Sequence, residues 1–264
     1  MRGDILKKKL MVLCAVAIMI STCLTGCKMN SGKIRFGSAG IGGTYQIFGD
    51  TFANLISSKS KKYNIEVKTT AGSAANLRLL SKDYIQMAVA QMDLINDAYN
   101  RTGIFENDKK YQGYRAVASL YTEACQIVVS ADSDIQSMDD LEGKKVCIGE
   151  EESGTEQNAL QILNAYGLNE RLVDTVNLNY TDAAKKLKSG DIDAFFCTAG
   201  VQTTVINELS KQCKIRLVSL DQKGVSRLKK SYKFYTEYTI PAGTYVNQTK
   251  EIKTVGVKAV LLAR

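Results

Sequence analysis

The sequence predicts an α/β fold of two similar lobes with a cleft between them, and three observations predict it. Strand-like and helix-like patterns alternate along the chain, as expected of mostly parallel sheets joined by crossover helices. The order then recurs. Thr44 and Thr155, 111 residues apart, each follow a strand and a glycine, and Ala88 and Ala194, 106 apart, each follow a helix and an aspartate turn. Finally, 264 residues that are 45% hydrophobic and 23% charged, with one proline, fold into one large domain or two lobes of roughly 100 residues each.

Lys33–Ser38 reads as a short strand, and Thr44–Ser57 as an amphipathic helix with Tyr45, Phe48, Phe52, Leu55 and Ile56 at helical spacing. Asn64–Thr69 is a second strand. A helix over Asn76–Ser81, with Ser73 as its N-cap, ends near Asp83, and Tyr84–Ala90 is a third strand. The second unit starts near Lys144 with a strand over Lys145–Gly149. Ser153-Gly-Thr-Glu156 reads as a capping box opening a helix to Tyr166, stopped by Gly167. A helix over Asp182–Lys188 closed by Gly190 and a strand over Ile192–Cys197 complete it.

There is no histidine. That excludes Ser-His-Asp and Cys-His catalysis, histidine-ligated metals and the commonest acid/base at neutral pH. No carboxylate pair of defined spacing replaces it, so the chain reads as a binding protein without cofactor or metal rather than an enzyme. The formal charge of +8 includes +3 from residues 1–26, where Arg2, Lys7, Lys8 and Lys9 oppose Asp4. The remaining lysines are scattered without aromatic interleaving, the pattern of solvated helix faces and not of a nucleic-acid surface.

Met1–Lys9 is a basic start, Leu10–Leu24 a short apolar run, and Leu24-Thr-Gly-Cys27 follows. This resembles a bacterial lipoprotein signal over residues 1–26, with Cys27 acylated and residues 27–32 a polar tether. The expectation is an extracytoplasmic protein held on the membrane by lipid. Cys125, Cys147 and Cys197 sit in apolar strand-like runs and read as small buried hydrophobes; Cys213 completes the four cysteines of the folded part, with no CxxC spacing.

The chemistry lies in loops that enter helices. Gly37-Ser-Ala-Gly-Ile-Gly-Gly-Thr44 puts four glycines between a strand and a helix start, where unpaired N–H groups converge on an anion. Gly43 stands where a P-loop needs lysine, and Tyr45 where a dinucleotide fingerprint needs glycine. Thr70-Ala-Gly-Ser-Ala-Ala-Asn76 and Glu152-Ser-Gly-Thr155 repeat the arrangement, so three polar helix starts at the carboxyl ends of strands describe a site for a small anion. Glu150-Glu-Glu152 next to one of them would repel a second negative charge and favours an amino acid such as glutamate or glutamine over a dicarboxylate. Asp93, Glu123 or one of these three glutamates then holds the ammonium. Gln91 and Asp93 close a buried strand, and Glu123 stands near the crossover between lobes.

Gly42-Gly-Thr-Tyr45, Thr70-Ala-Gly-Ser73, Asn76-Leu-Arg-Leu-Leu80, Gln91-Met-Asp93, Leu120-Tyr-Thr-Glu123, Ser153-Gly-Thr155 and Ile240-Pro-Ala-Gly-Thr-Tyr245, taken in order, resemble the TAXI-type solute receptors of tripartite (TRAP) transporters over residues 33–264. The resemblance implies a type II periplasmic-binding-protein fold of two hinged lobes, 33–124 with 232–264 and 125–231, closing on a small organic anion or amino acid. It implies delivery to a sodium-coupled TRAP permease; the receptor of an ATP-driven (ABC) importer shares the fold and is the alternative. Carried over by position, Gly43, Thr44, Tyr45, Ser73, Asn76 and Gln91 line the site from one lobe, Ser153, Gly154, Thr155 and Gly200 from the other. Gly42 adjoins them. It also implies a chain that continues past Arg264, leaving the apolar run at Val260, Leu261 and Leu262 without a covering element.

Overall fold

The computed structural model describes residues 33–108 and 111–264. The first unit runs β1 (Lys33–Gly37), α1 (Thr44–Lys59), β2 (Asn64–Lys68), α2 (Ser73–Ser81), β3 (Met87–Gln91) and α3 (Met92–Asn100), close to the boundaries that the apolar spacing sets. A long strand, β4 (Arg115–Ser130), leads into β5 (Lys145–Gly149), α4 (Gly154–Ala165), β6 (Asp174–Asn177), α5 (Tyr180–Ser189), β7 (Ala194–Ala199), α6 (Thr204–Gln212), β8 (Ile215–Leu217) and α7 (Gln222–Ser231). β9 (Thr236–Ile240) and β10 (Ile252–Ala263) return as a hairpin.

The strands are ordered β2-β1-β3-β10-β4-β7-β5-β6, with β8 on β4 and β9 on β10. Pairing is parallel within the arms (β1 with β3, β5 with β6 and β7) and antiparallel where β10 meets β3 and β4, and where β4 meets β7. The fold is therefore mixed α/β with flanking helices. Two long strands, β4 and β10, connect its two lobes.

In the first lobe, Leu77, Leu80, Leu94 and Phe105 pack with Val260 and Leu262 on one face of the sheet, while Phe36, Tyr45 and Val89 pack with Ala259 and Leu261 on the other. That is the period of two in a strand buried on both faces. It corrects the expectation for Val260, Leu261 and Leu262: β10 lies between β3 and β4, and helices cover it. The second lobe is likewise filled on both faces, by Ile127, Val146, Ile162 and Phe196 on one side and Val128, Phe195 and Ile206 on the other. Cys125, Cys147 and Cys197 are buried there as the sequence predicts; these three and Cys213 are free thiols.

One segment departs from the expected partition. Tyr235, Val255 and Val257 pack with the Ile127 cluster, and Ile240 and Tyr245 with the Phe195 cluster, so residues 235–257 lie on the second lobe and not the first. The physical reason is the β9–β10 hairpin, which lets the chain leave α7 along the same lobe and cross only within β10. Where it crosses, a Cβ at Gly256 would meet Thr122 Cγ2 at 2.6 Å and the Glu123 carbonyl at 2.8 Å, so the crossing strands touch backbone to backbone. Cys27, the signal at 1–26 and the tether at 27–32 lie outside the described residues. Among the described residues, no helix is long and apolar enough to cross a membrane.

Candidate functional site

Helix starts build the site, and the two lobes treat them differently. α1 and α2 begin behind Gly43 and Gly72, and neither cap makes a side-chain hydrogen bond. α4 and α5 begin behind Ser153 and Asn179, whose side chains accept from Glu156 N at 3.0 Å and Asp182 N at 2.9 Å. The Glu156 carboxylate reaches back to Glu152 N at 2.9 Å, one residue before the position a capping box would use. Ser73 is thus not the cap the sequence suggests: it is the first residue of α2, and its Oγ accepts from Gln91 N at 3.1 Å, tying the helix to the end of β3.

Between these starts lies a small cavity of about 40 Å³. The predicted residues Gly43, Thr44, Tyr45, Ser73, Gln91 and Glu123 line it from one side, and Ser153, Gly154 and Thr155 from the other. Gly40, Gly72, Glu150, Asn179, Tyr180 and Thr198 line it as well. Of these, Asn179 and Tyr180 were legible by the logic used for the other three loops, because they open a helix directly after a strand. Thr198 was not; it reaches the wall through the sheet pairing that places it opposite Cys125.

Four predicted residues stand off the wall. Asn76 is fully buried and donates to the Ser38 and Val89 carbonyls at 2.7 and 2.9 Å while accepting from Thr70 Oγ1 at 2.8 Å, so its amide joins β1, β3 and α2. Gly42 spends its carbonyl on Thr203 Oγ1, 3.2 Å away in the second lobe. Gly200 packs beneath the Thr44 side chain. Asp93 lies behind the wall and accepts from Asn158 Nδ2 at 3.1 Å. Each carries a polar or glycine signal that protein atoms engage, although Asp93 Oδ1 keeps no partner.

The lobes are closed on one another. Ala75 N donates to the Glu152 carbonyl at 3.3 Å, and Arg78 Nε pairs with the Glu152 carboxylate at 2.9 Å. Gln91 crosses the seam so closely that a Cβ at Gly154 would sit 2.3 Å from its Oε1; only glycine admits that approach.

The site's charge is concentrated in Glu123 on β4. Tyr45 Oη donates to its carboxylate at 2.8 Å, and burial pushes the group up to about 8 against the opposing hydrogen bonds from Tyr45 and Gln91, with Asp93 adding a smaller push in the same direction. With Gln91 donating to Glu123, its Oε1 is left buried without a partner. Glu150 on the opposite wall is also raised, by burial first and then by Asp182. Of the three-glutamate run, Glu150 alone lines the cavity, since Glu152 is engaged by Arg78 and Glu151 is exposed. The walls therefore offer the starts of α1 and α2, which lack side-chain caps although Ala75 N of α2 is spent on the Glu152 carbonyl, together with the unpartnered Gln91 Oε1 and the carboxyls of Glu123 and Glu150. Among the described residues no group of three or more acidic or cysteine side chains is arranged to hold a metal ion.

The sequence model of the NMT1-like family matches residues 36–264. The chain belongs to the NMT1-like family. Among solved structures it is similar to the periplasmic aliphatic sulphonate binding protein SsuA from Escherichia coli, at 17% identity over 88% of this chain and 65% of that one, with a TM-score of 0.51. The alkanesulfonate-binding SsuA from Xanthomonas axonopodis pv. citri, bound to MOPS, gives 15%, 88%, 65% and 0.52. A putative L-cystine ABC transporter structure from Listeria monocytogenes gives 15% identity over 88% of this chain and 82% of that one, with a TM-score of 0.53. This chain spans less than two thirds of the length of the two sulphonate-binding proteins. At such identities the likeness is one of fold, the two-lobed fold of periplasmic solute-binding proteins. The TAXI-type resemblance is thereby narrowed to that of a family member with this fold.

Proposed function

We propose that this NMT1-like chain is an extracytoplasmic solute receptor that closes its lobes on a small amino acid carrying a carboxylate, and presents it to a membrane importer. The observation that supports this most is the division of unspent groups in the cavity. Helix N-termini without side-chain caps suit a carboxylate, each charge-assisted hydrogen bond contributing about 1.5–3 kcal/mol, while Glu123 and the orphaned Gln91 Oε1 suit an ammonium. An ammonium would draw Glu123, held at about 8 in the empty cleft, into its ionised form, while a second carboxylate would be opposed chiefly by Glu150, by at most about 4 kcal/mol at 4 Å in a cleft of effective dielectric near 20. A thermal-shift screen of amino acids and organic acids tests the reading. A ligand at 100 times its Kd adds about 2.7 kcal/mol of stability, and calorimetry then ranks glutamate, glutamine and succinate. Tighter binding of succinate than of either amino acid would refute the ligand class.

For the importer, the structural neighbours favour an ATP-driven (ABC) permease, one of them being named as such. The ordered loop motifs favour a sodium-coupled TRAP permease as the second reading. Uptake in proteoliposomes with the neighbouring permease, driven by ATP or by a sodium gradient, separates the two. Tethering through lipid on Cys27 belongs to the same proposal, and a mature protein whose intact mass still includes residues 1–26 would remove it.

A further inference from the structure

Behind the cavity wall, Asp93 at the start of α3 meets Asn158 on α4, in the opposite lobe. Asn158 Nδ2 donates to Asp93 Oδ2 at 3.1 Å and to Tyr235 Oη at 2.8 Å, and Tyr235 Oη donates to Gln161 Oε1 at 2.7 Å. That relay fixes which end of the Asn158 amide is nitrogen. The remaining oxygens of the same two groups, Asp93 Oδ1 and Asn158 Oδ1, are both buried without a hydrogen-bond partner. Asp93 is 6% exposed and Asn158 0%. Each of the two bonded groups thus keeps one acceptor without a donor, and an unsatisfied buried acceptor costs about 1–3 kcal/mol.

We infer that Asp93 and Asn158 form a proton-dependent clasp between the lobes, in which Asp93 takes up one proton from solvent on closure and donates it from Oδ1 to the Asn158 carbonyl. No covalent bond changes; a carboxylic acid and a carboxamide then share two hydrogen bonds where a carboxylate and a carboxamide share one. The inference rests on the hinged-receptor reading and concerns how readily the lobes close, not which solute they hold.

The titratable groups that face Asp93 all oppose its ionised form. Asp97 lies on its own helix, Glu123 and Cys125 on β4 and Tyr235 ahead of β9, and the energetic coupling with each is of like sign. Burial is the larger cause and holds Asp93 at about 6 in the closed form, offset in part by the Leu94 amide and Asn158. Opening returns the carboxyl to water and to its ordinary range. Since the closed form has the higher affinity for the proton, closure is favoured as pH falls through 6 and loses this contribution above it, about tenfold between pH 5 and pH 7.

The test needs no ligand. Small-angle scattering on the full ligand-free chain follows the radius of gyration from pH 5 to pH 8, beside Asp93→Asn, whose amide reproduces both bonds at every pH. Wild type should open as pH rises, with a midpoint near 6 in excess of any background slope from Glu123, and the Asn variant should stay as compact as wild type at pH 5. Asn158→Ala, which removes the acceptor, should be more open than wild type at pH 5 yet keep a pH response, because burial alone still raises Asp93 on closure. Identical profiles for wild type and Asp93→Asn would overturn the clasp, as would a wild type that does not respond to pH. A chain that closes with pH but binds nothing in the solute screen would instead count against the receptor reading alone.

Discussion

The helix starts of the two lobes make an instructive contrast. In the first lobe α1 and α2 begin at bare glycines, which supply no side-chain cap for the leading N–H groups. In the second, Ser153 and Asn179 close the starts of α4 and α5, and Thr155 Oγ1 is engaged by Tyr180 Oη at 2.5 Å and accepts from Thr198 N at 3.3 Å. A helix needs its N-terminal groups satisfied somewhere. The second lobe satisfies them with its own side chains; the first does so with no cap side chain, and one of its N–H groups, that of Ala75, bonds across the seam to the Glu152 carbonyl.

Substitutions can break or sharpen that contrast. The largest effect is expected at Glu123, the acceptor beside the open starts. Glu123→Gln should weaken an ammonium-bearing ligand by about tenfold or more at pH 7, because the loss of a buried charge pair, about 3–5 kcal/mol, is offset by the about 1.4 kcal/mol needed to ionise a carboxyl held at about 8, and calorimetry at pH 7 reads it. The same variant tests linkage. A carboxyl held at about 8 when folded favours the protonated state, so the ligand-free wild type should lose stability as pH rises from 5 towards 8, at most about 1.4 kcal/mol per pH unit. The Gln variant should be flatter in a denaturant titration; parallel curves would show that Glu123 is not buried in solution.

Next comes Asn76, whose amide the structure assigns to the scaffold. Asn76→Leu strands the carbonyls of Ser38 and Val89, so unfolding should become easier by about 3 kcal/mol. If stability instead stayed constant while affinity vanished, Asn76 would belong to the ligand after all. Glu152→Gln unpairs Arg78 across the seam. With side chains 23% and 44% exposed, the pair contributes at most about 1 kcal/mol, so affinity should fall no more than about fivefold and the loss should shrink in high salt. The smallest effect is at Ser153→Ala, which removes one cap: about 1 kcal/mol, or roughly 2–4 °C in Tm, with affinity unchanged. A large affinity loss there would erase the difference between the lobes.

Local pattern carried much of the architecture. Apolar spacing and glycine stops place α1, α4 and α5 within a few residues, and the buried cysteines follow from their strand-like neighbours. What the sequence hid is non-local. The pairing of β10 with β3 and β4, and the seating of residues 235–257 on the second lobe, depend on contacts between segments more than a hundred residues apart. The site was partly legible for a related reason. Gly43, Thr44, Ser73 and Ser153, which line the cavity, are picked out by a local signal, a polar loop before a helix. Asn76 and Asp93 carry the same signal, and only the tertiary structure shows that backbone carbonyls and Asn158 have already claimed them.

The placement of β10 also sets a clock. Ala259 pairs with Gln91, 168 positions earlier, so the sheet of the first lobe has a gap at its centre until β10 arrives. At a synthesis rate of about 5–20 residues per second, roughly ten to thirty seconds separate the emergence of β3 from that of its partner. During that interval β1, β2 and β3 have no antiparallel neighbour to close on, and the non-local pairing keeps folding slow afterwards. The first lobe therefore cannot lock until β10 has been made.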